Sequence, residues 1–144
     1  MIMNIYFACS ITGGREFELV YQQIVAFLLA EGHIVPTSHL ASSEVLYMEK
    51  IVTARDVYER DVEWLTACDV LLAEISTPSH GVGYEIGLAL TLQKPVLCIY
   101  QQGRKVSKMI LGNPDTHLKV CAYETSEGAI QQICKFLSDN TARL

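Results

Sequence analysis

Asp69-Val70-Leu71-Leu72-Ala73-Glu74-Ile75, followed by Ser76-Thr77-Pro78-Ser79-His80-Gly81-Val82-Gly83, is the stretch that decides the fold. An apolar run interrupted only by Glu74, with no polar alternation, describes a strand covered on both faces, as in the centre of a parallel sheet. The proline and two glycines after it read as a loop, and a very apolar helix is expected from near Tyr84. Upstream, Asn4–Cys9 reads as a first strand and Ser10-Ile11-Thr12-Gly13-Gly14 as a loop. A helix of about sixteen residues follows from Arg15, with Phe17, Val20, Tyr21, Ile24 and Leu28 on one face. Gly32 ends it, His33–Thr37 forms a second short strand, and Ser38–Ile51 is a loop with room for a helical turn. Ala54–Ala67 is the next helix. Downstream, Pro95–Tyr100 and Leu118–Tyr123 are further strands, and a last helix near Ser126–Ser138 turns Ile130, Ile133 and Leu137 inward.

This alternation predicts an α/β fold: a doubly wound, Rossmann- or flavodoxin-like parallel sheet of about five strands, in a single domain over residues 1–144. Ligands in such sheets bind beyond the carboxyl ends of the strands, near the topological switch point. The loops after the first and third strands stand there.

Composition narrows the partners. A net charge of −5 with 11 scattered basic residues argues against a nucleic-acid polymer, which needs clustered Lys and Arg. A small anion remains open, since backbone N–H groups at a helix start hold phosphate without net positive charge. Met1–Ile11 is apolar but has neither the basic start nor the length of a signal peptide, so a strand is the better reading. No apolar run approaches the roughly 20 residues that cross a bilayer. The 5 cysteines, Cys9, Cys68, Cys98, Cys121 and Cys134, form an odd set without a close pair. They fit reduced core thiols in a cytoplasmic protein better than a disulfide framework or a zinc site.

Two carboxylates break the pattern. On the helix Ala54–Ala67, Val57, Tyr58, Val62, Trp64, Leu65 and Cys68 share one arc, while Arg55, Asp56, Glu59, Arg60 and Glu63 fill the other side. Asp61 falls in the middle of the apolar arc. A carboxylate there is either hydrogen-bonded to a neighbouring loop or turned into a cleft. Glu85 opens the apolar helix Ile86–Leu92, where it is either a dipole partner in a first turn or a functional acid at the ligand edge. Gly81 and Gly83 before it allow a ligand or another backbone to come close. Two carboxyl groups converging on one crevice suit glycosidic cleavage, one acting at the sugar carbon and the other on the leaving group or water. Ser10–Arg15 is a plausible anion cradle at a helix start. His39 and the Ser107 segment, flanked by Arg104, Lys105 and Lys108, have plain structural readings as well.

Tyr6-Phe7-Ala8-Cys9-Ser10-Ile11-Thr12-Gly13-Gly14-Arg15, then Asp61 with Glu63-Trp64-Leu65, then Pro78–Gly87, resemble the 2′-deoxynucleoside 5′-phosphate N-hydrolases of the wider nucleoside 2-deoxyribosyltransferase family. The likeness extends through Lys94-Pro95 and Gly103–Ile110. It implies Glu85 as the nucleophile that attacks C1′ and forms a covalent sugar-phosphate intermediate, Asp61 as the group assisting departure of the base, and Tyr6 against the sugar. It implies a substrate site lined by Cys9, Ser10, Ile11, Thr12, Gly13, Arg15, Ser79, Gly81 and Gly83, with Tyr21 and His39 further out. Ser107, Lys108 and Met109 would complete the site of the other subunit in a homodimer. No metal or organic cofactor is implied; the partner is a small nucleotide.

The pattern departs at three positions. Thr12 stands where the mammalian hydrolases have a phosphate-gripping arginine, a loss of roughly 1.5–3 kcal/mol for a charge-assisted hydrogen bond. His80 replaces an apolar residue, and Cys9 replaces a glycine. Base exchange on unphosphorylated deoxynucleosides, and a non-catalytic nucleotide-binding module, are the alternatives.

Overall fold

The computed structural model describes residues 1–142. Four strands, β1 (Ile5–Ala8), β2 (Val70–Glu74), β3 (Val96–Gln101) and β4 (Leu118–Tyr123), form one parallel sheet in the order β1-β2-β3-β4. The second strand expected over His33–Thr37 shrinks to a single bridge, Asn4 to Ile34, beside β1. The reason is local. Pro36 has no N–H to give a ladder, and the Thr37 hydroxyl takes over the edge of β1. It accepts from Phe7 N at 3.0 Å and donates to Phe7 O at 2.7 Å.

The helices are α1 (Glu18–Ala30), α2 (Val45–Lys50), α3 (Ala54–Ala67), α4 (His80–Thr91), α5 (Lys108–Leu111) and α6 (Ser126–Thr141), with a 3-10 turn over Ser38–Ala41. Helix α1 starts later than Arg15, because Gly14 turns at φ +133° and the Arg15 guanidinium is tied into the preceding loop. Gly32, at φ +86°, stops it as expected. The stretch before α3 holds more helix than expected.

The period of 2 along the strands sorts side chains into two cores. Ile5, Phe7 and Cys9 face the layer of α1 and α6, with Tyr21, Ile24, Leu28, Ile133 and Phe136. Tyr6 and Ala8 face the layer of α3 and α4, with Leu65, Val82, Ile86 and Ala89. Helices on both faces, with Ile34 on one side of β1 and β2 on the other, put the switch point at the carboxyl end of β1. Cys9, Cys68 and Cys98 are buried thiols, but Cys134 is exposed and packs in no core. Among the described residues no helix is long and apolar enough to cross a membrane.

Candidate active site

Helix α4 begins at His80, not near Tyr84. Two glycines make the segment look like loop, yet the Ser79 hydroxyl caps it by accepting from Val82 N at 3.3 Å. Glu85 is therefore a full turn inside the helix, out of reach of the first-turn dipole that was its ordinary explanation. Nor is α4 buried all round: Tyr84 is 57% exposed and Gly83 and Gly87 lie open, leaving a bare stripe.

Glu85 faces Tyr6 from β1 and Asp61 from α3, three elements of one layer. Burial first, and then the Asp61 charge, push its carboxyl up to about 7, against a partial opposing pull from Tyr6. Burial and the two carboxylates hold the Tyr6 hydroxyl well above the ordinary phenol range, so it stays neutral and able to donate. The Tyr6 hydroxyl and Glu85 Oε2 close no hydrogen bond with well-formed geometry. Asp61 and Glu85 share a cleft of about 200 Å³ with Gly81, Tyr84, Val57 and Leu88. A Cβ on Gly81 would lie 3.7 Å from Glu85 Oε1, so its absence leaves that oxygen open to a ligand.

The two loops at the switch point lean on one another. A Cβ on Gly13 would collide with the Pro78 carbonyl oxygen. Behind this contact, Ser10 Oγ, Tyr21 Oη and Thr77 Oγ1 are buried without hydrogen-bond partners. With Tyr6 Oη and Glu85 Oε2 they make five such atoms towards the carboxyl edge of the sheet; the one other among the described residues, Asn4 Oδ1, lies at the opposite end. Buried polar atoms are seldom left unpaired; here Tyr6 faces Glu85 on one side of the sheet and Tyr21 faces Thr77 on the other, each pair short of a well-formed hydrogen bond.

The expected site residues do not all meet. Tyr21 and Cys9 lie across the sheet from Glu85, in the α1 layer. Burial pushes the Cys9 thiol up to about 12, which disqualifies it as a nucleophile at neutral pH. Arg15 is spent internally: it donates to Ser10 O at 3.0 Å, Ser42 O at 3.0 Å, Glu18 Oε1 at 3.0 Å and Cys9 Sγ at 3.8 Å. Its guanidinium also sits 5.3 Å from the Tyr21 ring centroid. It braces the first loop and has no free fork for a phosphate. Thr12 and Gly13 are exposed on that loop, with Ile11 half-buried. Ser79, Gly83, Ser107 and Met109 line a second hollow of about 640 Å³ on the other side of α4. Within one chain, Ser107 and Glu85 thus belong to different hollows. His39 reaches the α3 side of the site, with Nε2 3.4 Å from Glu49 Oε1 and its ring against Trp64. Among the described residues no group of three His, Cys, Asp or Glu side chains is placed to hold a metal.

Residues 5–133 match the family model described as nucleoside 2-deoxyribosyltransferase. The chain belongs to that family. Its relatives include the 5-hydroxymethyl-dUMP N-hydrolase of Esox lucius, 39% identical over 144 residues, covering 94% of this chain and 99% of that one. The Homo sapiens protein of the same name is 40% identical over 128 residues, 85% of this chain and 73% of its own. Among solved structures, the CMP N-glycosidase BcmB of Clostridium botulinum superposes with a TM-score of 0.67 over 90% of this chain and 97% of that one. At 17% identity, it shares the fold.

In this nucleoside 2-deoxyribosyltransferase family member, three groups beside the site escaped sequence reasoning. Arg60, on the polar side of α3 by helical period, folds back to donate from Nε to Asp61 Oδ1 at 2.8 Å. Glu49 of α2 accepts from Arg60 Nη2 at 3.2 Å. Glu74, fully buried at the end of β2, accepts from Ser76 N and from the Tyr123 hydroxyl at 3.2 Å. Burial raises its pKa and these donors oppose the rise. The only signals were Glu74 as a charge in an apolar strand and Trp64 four residues after Arg60, a stacking distance on a helix.

Proposed function

We propose that the chain hydrolyses the N-glycosidic bond of (deoxy)nucleoside 5′-monophosphates, giving a free nucleobase and (deoxy)ribose 5-phosphate. The observation that carries this reading is Glu85: half-buried, raised to about 7, facing Tyr6 and Asp61, and with Oε2 buried and unpaired. A carboxylate drawn out of water beside an open cleft is a nucleophile for a sugar carbon. The names of relatives that share about 40% of their residues point to the same bond.

In the proposed cycle, ionised Glu85 attacks C1′ as the C1′–N bond breaks and the electron pair leaves with the base. In its protonated form Asp61 gives the departing base the proton it needs. The Tyr6 hydroxyl donates to the nucleophile or the sugar. Water then attacks C1′, Glu85 leaves as a carboxylate, and Asp61 takes the water proton. Backbone N–H groups of Cys9–Gly13 and the Ser79 hydroxyl face the phosphate; Arg15 acts by bracing that loop. The partner subunit's Ser107, with Lys108 and Met109 beside it, completes the phosphate site in a homodimer. Met109 at 83% exposure and Leu111 at 52% suit a face that a second copy covers. Free thiols throughout suit the cytoplasm.

The test is incubation with dGMP, dCMP, dUMP, 5-hydroxymethyl-dUMP, CMP and the matching nucleosides, with and without an added base. Free base and a sugar 5-phosphate without acceptor support hydrolysis. Base release that requires an acceptor would assign the chain to transfer, and no release from any nucleotide would contradict both.

A further inference from the structure

Arg60 and Asp61 are neighbours in sequence on α3, and adjacent helical residues point about 100° apart. Their 2.8 Å bond therefore needs the guanidinium pulled back across the helix. Two contacts do this. Glu49 Oε1, from α2, accepts Arg60 Nη2 at 3.2 Å, and the Trp64 ring lies 5.0 Å from the guanidinium carbon. His39 steadies both anchors: Nε2 stands 3.4 Å from the same Glu49 oxygen, and its ring meets Trp64 edge-on at 5.9 Å. Side-chain exposures of 17% for Glu49, 26% for Arg60 and 18% for Asp61 keep the chain of contacts largely out of water. Exposed pairs are screened to near nothing, whereas sheltered ones hold geometry.

We propose that Arg60, anchored by Glu49, is a positioning residue that aims Asp61 at the leaving base and offsets its charge beside Glu85. The inference rests on the hydrolase reading above. It places the anchors of Arg60, and through them the aim of Asp61, partly outside α3, on α2 and the segment before it.

The two effects are separable. Loss of the anchor lets Asp61 swing, which lowers kcat more than it changes KM, because the sugar and phosphate contacts lie elsewhere. Loss of the positive charge leaves the Asp61 carboxylate uncompensated before Glu85. The titratable groups facing Glu85 are Tyr6 and Asp61, with Cys9 farther off; Arg60 faces Glu49, Asp61 and Tyr6, and His39 stands behind Glu49. Taking a cation from this set makes Glu85 harder to ionise, so the acid limb of kcat/KM moves to higher pH.

The experiment measures kcat, KM and the pH profile of the full chain with 5-hydroxymethyl-dUMP, or with whichever of the monophosphates above turns over fastest. Arg60→Gln should lower kcat about 10–100-fold with KM within about threefold, and raise the acid limb by about half a pH unit or more. Glu49→Gln should move both in the same directions by less. Arg60→Lys should restore the limb but not the full kcat, since an ammonium lacks the planar fork. If Arg60→Gln keeps kcat within about twofold and leaves the limb in place, even with a lower melting temperature, the bracket is merely structural and the inference is overturned. Failure of the unaltered chain to release base from any monophosphate would instead overturn the hydrolase reading, and this inference with it.

Discussion

Glu85 concentrates the tension of the site. Its carboxyl is raised from 4.5 to about 7, by burial above all. The native state therefore binds a proton that the unfolded chain releases between those values. Stability is greatest below pH 4.5 with respect to this group, falls as pH rises through the window, and stays reduced above about 7. Replacing it by a neutral isostere, Glu85→Gln, should raise the unfolding free energy at pH 8 by up to about 3 kcal/mol, and the melting temperature with it, and much less at pH 5. Calorimetry at the two pH values checks this; equal shifts would show that the carboxyl is not strained by burial. Such a residue is legible in sequence because an acid in an apolar helix breaks a pattern, as Asp61 also does. Arg60 broke none. Its role depends on Glu49, eleven residues away and on another helix, which no periodicity within α3 reports.

At the scale of elements, the site is the meeting of two loops with the start of α4. Gly13 is the seat of that meeting, because any Cβ there strikes the Pro78 carbonyl. Gly13→Ala should separate the loops, costing about 1–3 kcal/mol by overpacking and lowering kcat/KM well beyond what the lost stability explains. Denaturant midpoints and kinetics on one preparation decide it; retention of full activity would mean that the two loops act independently. Strands and helices with a clean period were readable, and α3 and β4 fall where their patterns put them. The failures share a cause, which is side chains overriding backbone propensity. Ser79 starts α4 through two glycines, and Thr37 with Pro36 turns an expected strand into one bridge.

Over the whole molecule, the sheet delivers Tyr6 to the α3–α4 layer, beside Glu85 and Asp61, while its neighbours Ile5 and Phe7 face α1 and α6, so alternation along one strand decides which side chains meet the candidate site. Sequence pattern reached this doubly wound plan and the edge where the site lies. It could not show that Ser107 and Glu85 stand on opposite sides of α4, the separation that motivates the proposed homodimer. Light scattering should return twice the chain mass. Ser107→Ala should raise KM for 5′-monophosphates about tenfold, the loss of one hydrogen bond to a charged group, and leave KM for nucleosides unchanged. Equal effects on both would remove the residue from the phosphate site. The most direct test of the account is release of free base from 5-hydroxymethyl-dUMP, without acceptor base, by the native chain and by Glu85→Ala. The account predicts turnover by the native chain and a loss of about a thousandfold or more in the variant; a variant within about tenfold of native would contradict it.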